Sequence, residues 1–181
     1  MKNLNRRKFL KKSSLSAASL YMASNLACSQ ESENRPSEGA YMGDFTASKL
    51  DTVRIALVGV GARGSGHAKQ LAAIKGTEIV AISDLYEDLI DRSVEACKKV
   101  GGGRHQNIQR FFGNEAEWKK MLKTTTPDVV FIATNWKNHA PMAVEAMNQG
   151  AHAFVEVPIA VSLPEMWEII DTSEKTMKHC M

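Results

Sequence analysis

An apolar segment that runs into three glycines constrains this chain more than any other feature. Residues 53–58 read Val-Arg-Ile-Ala-Leu-Val, and Gly59, Gly61 and Gly64 follow with G-x-G-x-x-G spacing before a helical pattern begins. Gly59 lets the chain leave a strand in a tight turn, Gly61 leaves room beside the backbone, and Gly64 lets the next helix pack closely on the strand. The helix N-terminus then lies beside the turn, where backbone N–H groups attract phosphate. This arrangement predicts a dinucleotide site rather than a glycine turn without function.

An acidic residue after the next apolar run supports this interpretation. Asp84 lies 20 residues beyond Gly64 and directly follows residues 79–83. A carboxylate there can accept hydrogen bonds from both ribose hydroxyls and repels a 2′-phosphate, so the sequence favours NAD over NADP. The alternative is an aspartate that caps the following helix, whose first turn contains Glu87 and Asp88.

Strand and helix patterns alternate from residue 52 onwards. Strands are predicted at 53–60, 77–84, 108–112, 128–134 and 152–156, and helices at 65–75, 86–100, 114–123, 138–149 and 164–178. Asn114 is predicted to cap the third helix with Glu117, and residues 179–181 resemble the start of a sixth strand. The alternation predicts a Rossmann-type α/β fold, a doubly wound parallel sheet with helices on both faces. The side chains predicted to fill the core include Phe111, Phe112, Trp118, Trp167 and Cys97.

Basic residues are concentrated at the N-terminus. Residues 1–28 carry six cations and no acids, so the other 153 residues have a net charge of −3 and give no reason to expect nucleic-acid binding. The segment Asn5–Leu10 (NRRKFL) and the weakly apolar residues 13–27 predict a twin-arginine signal peptide over residues 1–28, read by the twin-arginine export machinery. Cys28 is either the lipid-acceptor cysteine of a lipoprotein or an incidental residue after a cleaved signal. Residues 29–51, rich in Ser, Glu, Asn, Pro and Gly, are predicted to be a flexible linker.

Ligands of such folds bind at the carboxyl ends of the strands, which directs attention to the residues there. Arg63 follows the first strand and either contacts a phosphate or remains a solvated loop residue, whereas His67, one turn into the helix, is interpreted as structural. Trp136 and His139 follow the fourth strand and either wall a nicotinamide pocket or pack in the core. Glu156 ends the fifth strand, where burial without a partner would be costly, so we expect it near the nicotinamide or bonded to local backbone. The three cysteines predict neither a disulfide framework nor a metal site.

Together these motifs resemble the Gfo/Idh/MocA oxidoreductase family. The resemblance rests on the glycine turn, on Ala133-Thr134 with His139, and on Glu156-x-Pro158, and it covers residues 52–181. Most members of that family carry Glu-Lys-Pro at the last motif, where the lysine helps to bind substrate and assists hydride and proton transfer. Val157 stands in its place here, which argues against an ordinary sugar dehydrogenase.

The chain is similar to one branch of that family, the NAD-dependent glycosidases of glycoside hydrolase family 109, known for α-N-acetylgalactosaminidase activity. The matching motifs are Gly61-x-Arg63-Gly64-x-x-His67, Trp136-x-x-His139, Glu156-Val157 and Glu165-x-Trp167. The resemblance implies transient oxidation of a small-molecule glycoside at C3, elimination at C1, addition of water and return of the hydride from resident NAD. Beside Gly59, Gly61 and Gly64, the residues that it places at the NAD site are Ala62, Arg63, Asp84, Trp136, Lys137, Asn138, His139, Glu156 and Val157.

In that family the residues that act on the sugar belong to a second, α+β domain, and residues 1–181 contain no segment that corresponds to it. We therefore expect a Rossmann domain over residues 52–181 of a truncated chain that is inactive alone, and we name no catalytic residue. Two alternatives remain, a sugar oxidoreductase of the same superfamily and a non-catalytic nucleotide-binding fragment. The signal predicts an exported protein, periplasmic or anchored in the membrane as a lipoprotein, and the sequence leaves homo-oligomerisation open.

Overall fold

A parallel five-stranded sheet lies at the centre of the computed structural model, which describes residues 41–181. Its strands are β1 Val53–Val58, β2 Thr77–Ser83, β3 Gln109–Phe111, β4 Val129–Ile132 and β5 His152–Val155. The helices that alternate with them are α1 Gly64–Ala73, α2 Glu87–Val100, α3 Glu117–Thr125, α4 His139–Asn148 and α5 Leu163–Thr176. The predicted signal peptide, Cys28 and the first part of the predicted linker lie outside the described residues.

The strand order is β3-β2-β1-β4-β5, and every pairing is parallel. The chain proceeds outward from β1 to β3, returns to the other side of β1, and continues from β4 to β5. This reversal between β1 and β4 is the switch point at which open α/β sheets bind their ligands. At the other edge of β5, Ala153 forms a parallel bridge with Cys180, and the Ala153 N–H donates to the carbonyl oxygen of His179 at 2.9 Å. The predicted entry into a sixth strand is confirmed.

Both faces of the sheet are buried under helices. Ile55 and Leu57 of β1 belong to a core that includes side chains of α1 and α2. Ala56 and Val58, on the opposite face of the same strand, belong to a second core with side chains of α3, α4 and α5. Burial on both faces explains why β1 is an apolar run without alternation. The prediction of a doubly wound sheet is confirmed.

The predicted aromatic core is correct for two of its four members. Phe111 and Trp118 are buried, but Phe112 is 39% exposed and Trp167 is 48% exposed, so the prediction was wrong for these two. Phe112 directly follows Phe111 in an extended segment, and adjacent side chains there point to opposite faces. Trp167 lies on the outward side of α5, two residues before the buried Ile169.

Cys97 fills the core between α1 and α2, as predicted. Its side chain is fully buried and its Sγ lies 3.5 Å from the carbonyl oxygen of Ala68. Burial raises the pKa of the Cys97 thiol to about 11. The thiol therefore remains protonated, and hence unreactive, at neutral pH.

The helix ends agree with the sequence prediction to within three residues. The third helix starts later than predicted, at Glu117, because Asn114 Oδ1 accepts from the Ala116 N–H at 2.8 Å in a local turn. Glu117 accepts from the Asn114 side-chain amide instead of the Asn114 backbone N–H that a capping box uses. Ser162 caps α5 through the Glu165 N–H, with a proline in the first turn as predicted.

Residues 41–51 come from the segment predicted to be a linker. They include a short 3-10 turn, Met42–Asp44, and the Phe45 ring lies 5.0 Å from the ring of His179. Within residues 41–181, no helix combines the length and the apolar character needed to cross a membrane.

Candidate cofactor-binding site

The three glycines of the turn after β1 have different surroundings. Gly59 has a φ of +84°, and a Cβ there would lie 2.6 Å from the carbonyl oxygen of Ala133. A Cβ on Gly64 would lie 1.9 Å from the carbonyl oxygen of Gly59, so this glycine lets α1 start close against the turn. A Cβ on Gly61 would meet no atom within 4 Å. Gly59 and Gly64 are therefore required by the fold, whereas Gly61 leaves open space beside the backbone, as expected of the position that a pyrophosphate approaches.

Asp84 connects the end of β2 to the glycine turn. Its Oδ2 accepts from the Val60 N–H at 2.8 Å, and its Oδ1 accepts from the Tyr86 N–H at 3.1 Å. A carboxylate has about four acceptor positions, so these two bonds leave capacity for the hydroxyls of a ribose. Tyr86 is the N-cap of α2, and the bond from its N–H to Asp84 lies before the helix, so the alternative in which Asp84 caps α2 is not what the structure shows.

A cavity of about 300 Å³ opens at the carboxyl ends of β1, β2 and β4. Its volume is at the lower end of the range that small-molecule sites occupy. The predicted site residues that line it are Gly59, Gly61, Asp84 and Asn138. Trp118, which the sequence prediction assigned to the core, and Met142 contribute apolar surface to it. The other predicted site residues do not line this cavity: Ala62, Arg63, Gly64, Trp136, Lys137, His139, Glu156 and Val157.

The loop after β4 presents three predicted residues to solvent and buries the fourth. Residues 136–138 form a 3-10 turn, and Trp136 is 59% exposed at its start. His139 is only 2% exposed, with Nδ1 2.8 Å from the carbonyl oxygen of Pro158 and Nε2 3.1 Å from that of Thr134. His139 therefore bridges the loops after β4 and β5. A neutral imidazole has one N–H and donates to only one of these carbonyl groups at a time.

The loop after β5 contains a charged cluster. Glu156 Oε1 accepts from His67 Nε2 of α1, and Arg63 Nε lies 4.0 Å from the same oxygen. The hydrogen bond from His67 is the main cause that holds the pKa of the Glu156 carboxyl below its ordinary value of 4.5. Val157 is 87% exposed, and a cis peptide bond joins it to Pro158. An ionised carboxylate and an exposed apolar side chain thus stand next to each other at the end of β5.

His67 was not among the residues predicted to belong to the site. It was interpreted as structural, but its side chain reaches a predicted site residue, and its ring lies 4.6 Å from that of Phe131. The signal was its position three residues after Gly64, on the first turn of the helix that begins at the site. Among residues 41–181, no group of three His, Cys, Asp or Glu side chains is placed to hold a metal ion.

The sequence profile of an oxidoreductase family with an NAD-binding Rossmann fold matches residues 53–181. The chain belongs to the Gfo/Idh/MocA oxidoreductase family. This membership agrees with the strand order, the glycine turn and the space beside Gly61. The resemblance found in the sequence motifs is confirmed.

Sequence relatives of this Gfo/Idh/MocA chain include glycosyl hydrolases. It is 52% identical over 141 residues to glycosyl hydrolase family 109 protein 1 of Akkermansia muciniphila, which covers 78% of this chain and 29% of that protein. It is 38% identical over 184 residues to an α-N-acetylgalactosaminidase of Shewanella oneidensis, covering 100% of this chain and 39% of that protein. The chain thus spans about a third of the length of these relatives.

Solved structures of the Gfo/Idh/MocA type share the fold. Scyllo-inositol dehydrogenase from Lactobacillus casei, solved with bound NAD(H) and scyllo-inositol, matches 72% of this chain and 35% of its own with a TM-score of 0.60. Its sequence identity is 23%, so the likeness concerns the Rossmann fold alone.

Proposed function

We propose that this chain is the NAD-binding part of an exported glycosidase of family 109 that resembles α-N-acetylgalactosaminidase. The observation that carries the proposal is the identity of 38–52% to proteins of that kind, one of which aligns with the whole of this chain. A second observation agrees with it. Val157, exposed after the end of β5, stands where dehydrogenases of the superfamily usually carry a lysine.

Different residues of the chain would bind different parts of NAD. The carboxylate of Asp84 accepts hydrogen bonds from the adenosine ribose and disfavours a 2′-phosphate by charge repulsion. The open side of Gly61 lets the pyrophosphate approach the backbone beside the N-terminus of α1. Trp136 and Val157, both exposed at the carboxyl end of the sheet, supply apolar surface for the nicotinamide.

When bound, NAD would take up hydride from C3 of the sugar and later return it, which allows the C1 leaving group to depart by elimination. The absence of a lysine at position 157 fits a site in which the cofactor ends each turnover in its starting redox state. A protein of this kind needs no supply of fresh NAD. The role of the chain is to position and retain the cofactor.

Export agrees with a retained cofactor. The Arg6-Arg7 pair and the apolar segment after it resemble signals of the twin-arginine route, which exports proteins already folded with their cofactors. A dehydrogenase that released NADH outside the cytoplasm would lack a partner to reoxidise it. We therefore place the protein in the periplasm, or at the membrane through a lipid on Cys28.

The decisive experiment uses the protein expressed from its complete gene and an aryl α-N-acetylgalactosaminide, with no NAD added. Release of the phenol without net formation of NADH supports the glycosidase. Formation of NADH from free sugar and added NAD, without phenol release, would identify a sugar oxidoreductase instead. Export is tested separately by changing Arg6 and Arg7 together to lysine, which should retain the protein in the cytoplasm.

A further inference from the structure

The side chains of His67 and Glu156 connect α1 to the loop after β5. His67 lies on α1, directly beyond the glycine turn, and Glu156 directly follows β5. Their hydrogen bond, from Nε2 to Oε1, joins positions 89 residues apart in the sequence.

The surroundings of this pair hold it in one arrangement. The His67 ring lies against Phe131 of β4, with 4.6 Å between the ring centres. The second carboxylate oxygen of Glu156 accepts from the Val157 N–H at 3.3 Å, and Arg63 approaches the first oxygen at 4.0 Å. Both side chains of the pair are about a quarter exposed or less, so the contact is largely shielded from solvent. The position of the carboxylate therefore fixes the backbone at Val157.

The two halves of a dinucleotide lie on opposite sides of the switch point between β1 and β4. Asp84 follows β2 and, in the proposed function, binds the adenosine half. The other half of the cofactor is then directed to the loops after β4 and β5, where Val157 and Trp136 are exposed. A contact that fixes the loop after β5 relative to α1 should therefore affect the binding of the nicotinamide half of the cofactor and leave the binding of the adenosine half unchanged.

We propose that His67 is a positioning residue for the nicotinamide half of the cofactor site, acting through Glu156 on the Val157–Pro158 wall. This inference rests on the proposed function, since it assumes that the cleft holds NAD. It gives His67 a role distinct from core packing, because the packing contact with Phe131 and the hydrogen bond to Glu156 can be removed separately.

The test uses calorimetry to compare the affinities of NAD and ADP for the protein expressed from its complete gene, after its bound nucleotide has been removed. His67→Leu should weaken NAD binding about three- to tenfold, the usual worth of one hydrogen bond, and leave ADP binding within about twofold. His67→Gln should restore NAD binding, because its amide N–H can replace Nε2–H. Glu156→Leu, which removes both acceptor oxygens, should reproduce the loss, and the double variant with His67→Leu should lose no more than either single variant.

Thermal unfolding of each variant separates positioning from folding. Gln70→Leu, an exposed change on the same helix, is the matched control and should alter neither affinity. Should His67→Leu fail to fold, His67→Phe keeps an aromatic ring beside Phe131 and takes its place. Equal weakening of NAD and ADP, or unchanged NAD binding in a folded variant, would overturn the proposal. If the unaltered chain binds neither nucleotide, the proposed cofactor function fails first.

Discussion

The carboxylate of Asp84 accepts a hydrogen bond from the backbone N–H of Val60 at 2.8 Å, so the end of β2 is bonded to the glycine turn after β1. One residue thus shapes the turn and presents negative charge to the adjoining cavity. Asp84→Asn keeps one acceptor oxygen but removes the charge. We expect NAD to bind more weakly and the preference for NAD over NADP to fall by about tenfold, the effect of losing a charge-assisted hydrogen bond.

Titration with both nucleotides measures this ratio. Asp88→Asn removes the same charge four residues away, on a side chain that pairs with Arg92 and does not line the cavity, and it should leave the ratio unchanged. An Asp84→Asn chain that keeps its full preference for NAD would show that the carboxylate only stabilises the glycine turn and does not select the cofactor.

The glycines of the turn should separate folding from binding. Gly64→Ala introduces a Cβ 1.9 Å from the carbonyl oxygen of Gly59, so the free energy of unfolding should fall by about 1–3 kcal/mol, the usual cost of overpacking. Gly61→Ala meets no protein atom and should fold normally but bind NAD at least about tenfold more weakly.

Gly66→Ala is the control for both glycine changes. It lies on α1, its Cβ would also meet no atom within 4 Å, and alanine should leave stability equal or raise it by up to about 1 kcal/mol. Thermal unfolding and NAD titration of the three variants give the comparison. A Gly61→Ala chain with undiminished affinity would place the pyrophosphate elsewhere.

The strand segment at residues 179–181 should loosen in mild acid. His152 Nδ1 accepts from the His179 N–H at 2.9 Å, which requires a neutral ring with its proton on Nε2. Burial, followed by repulsion from Lys178 and His179, holds the pKa of His152 below its ordinary 6.5, against a smaller attraction to Asp128. The contribution of the neutral ring is therefore complete above pH 6.5 and is lost as the pH falls through the lower pKa of the folded state.

His152→Asn provides the corresponding test, because the amide oxygen can accept from the same N–H but does not titrate. After correction for intrinsic rates, hydrogen exchange of the Met181 and Ala153 amides, which bond across this edge, should accelerate in the unaltered chain as the pH falls from 7.5 to 5. Exchange in the variant, corrected for intrinsic rates, should change less over this range. The same acceleration in both proteins would assign the effect to another group.

Arg104 should contribute more to stability than its surface position suggests. Its guanidinium donates to the carbonyl oxygens of Ala72 at 3.0 Å and Ile74 at 2.6 Å, at the end of α1, where a cation also complements the helix dipole. Arg104→Ala should lower the free energy of unfolding by about 1–2 kcal/mol. Arg92→Ala, which removes an exposed pair with Asp88, should cost less than about 0.5 kcal/mol in the same chemical denaturation experiment. Equal costs would contradict this account.

The fold was accessible from sequence because its determinants are local. The glycine spacing, the apolar run of β1 and the alternation of elements each depend on residues close together in the chain, and they predicted every strand of the sheet. The same reasoning predicted Asp84, because the end of a strand is a position that periodicity identifies. Phe112 and Trp167 were assigned wrongly because hydrophobicity does not reveal which side of an element faces the core.

The contacts within the site were less accessible because they join distant segments. His67 contacts Glu156 only because α1 and β5 are brought together beside β4 in the folded chain. No local sequence pattern indicates the direction in which an imidazole side chain points. His139 was named as a candidate, but its bonds to the carbonyl oxygens of Thr134 and Pro158 depend on the paths of two loops. The sequence therefore predicts which residues belong to the site, whereas the contacts that each residue makes there are known only from the structure.

The central claim, that this chain retains NAD as a resident cofactor, is tested most directly by the nucleotide that the protein carries. The protein expressed from its complete gene is purified without added nucleotide, denatured, and analysed by chromatography and mass spectrometry for what it releases. The account predicts NAD or NADH in a ratio approaching one per chain for the unaltered protein, and a much lower ratio for Gly61→Ala. A folded protein that releases no dinucleotide and binds none on titration, or one that releases NADP, would contradict it.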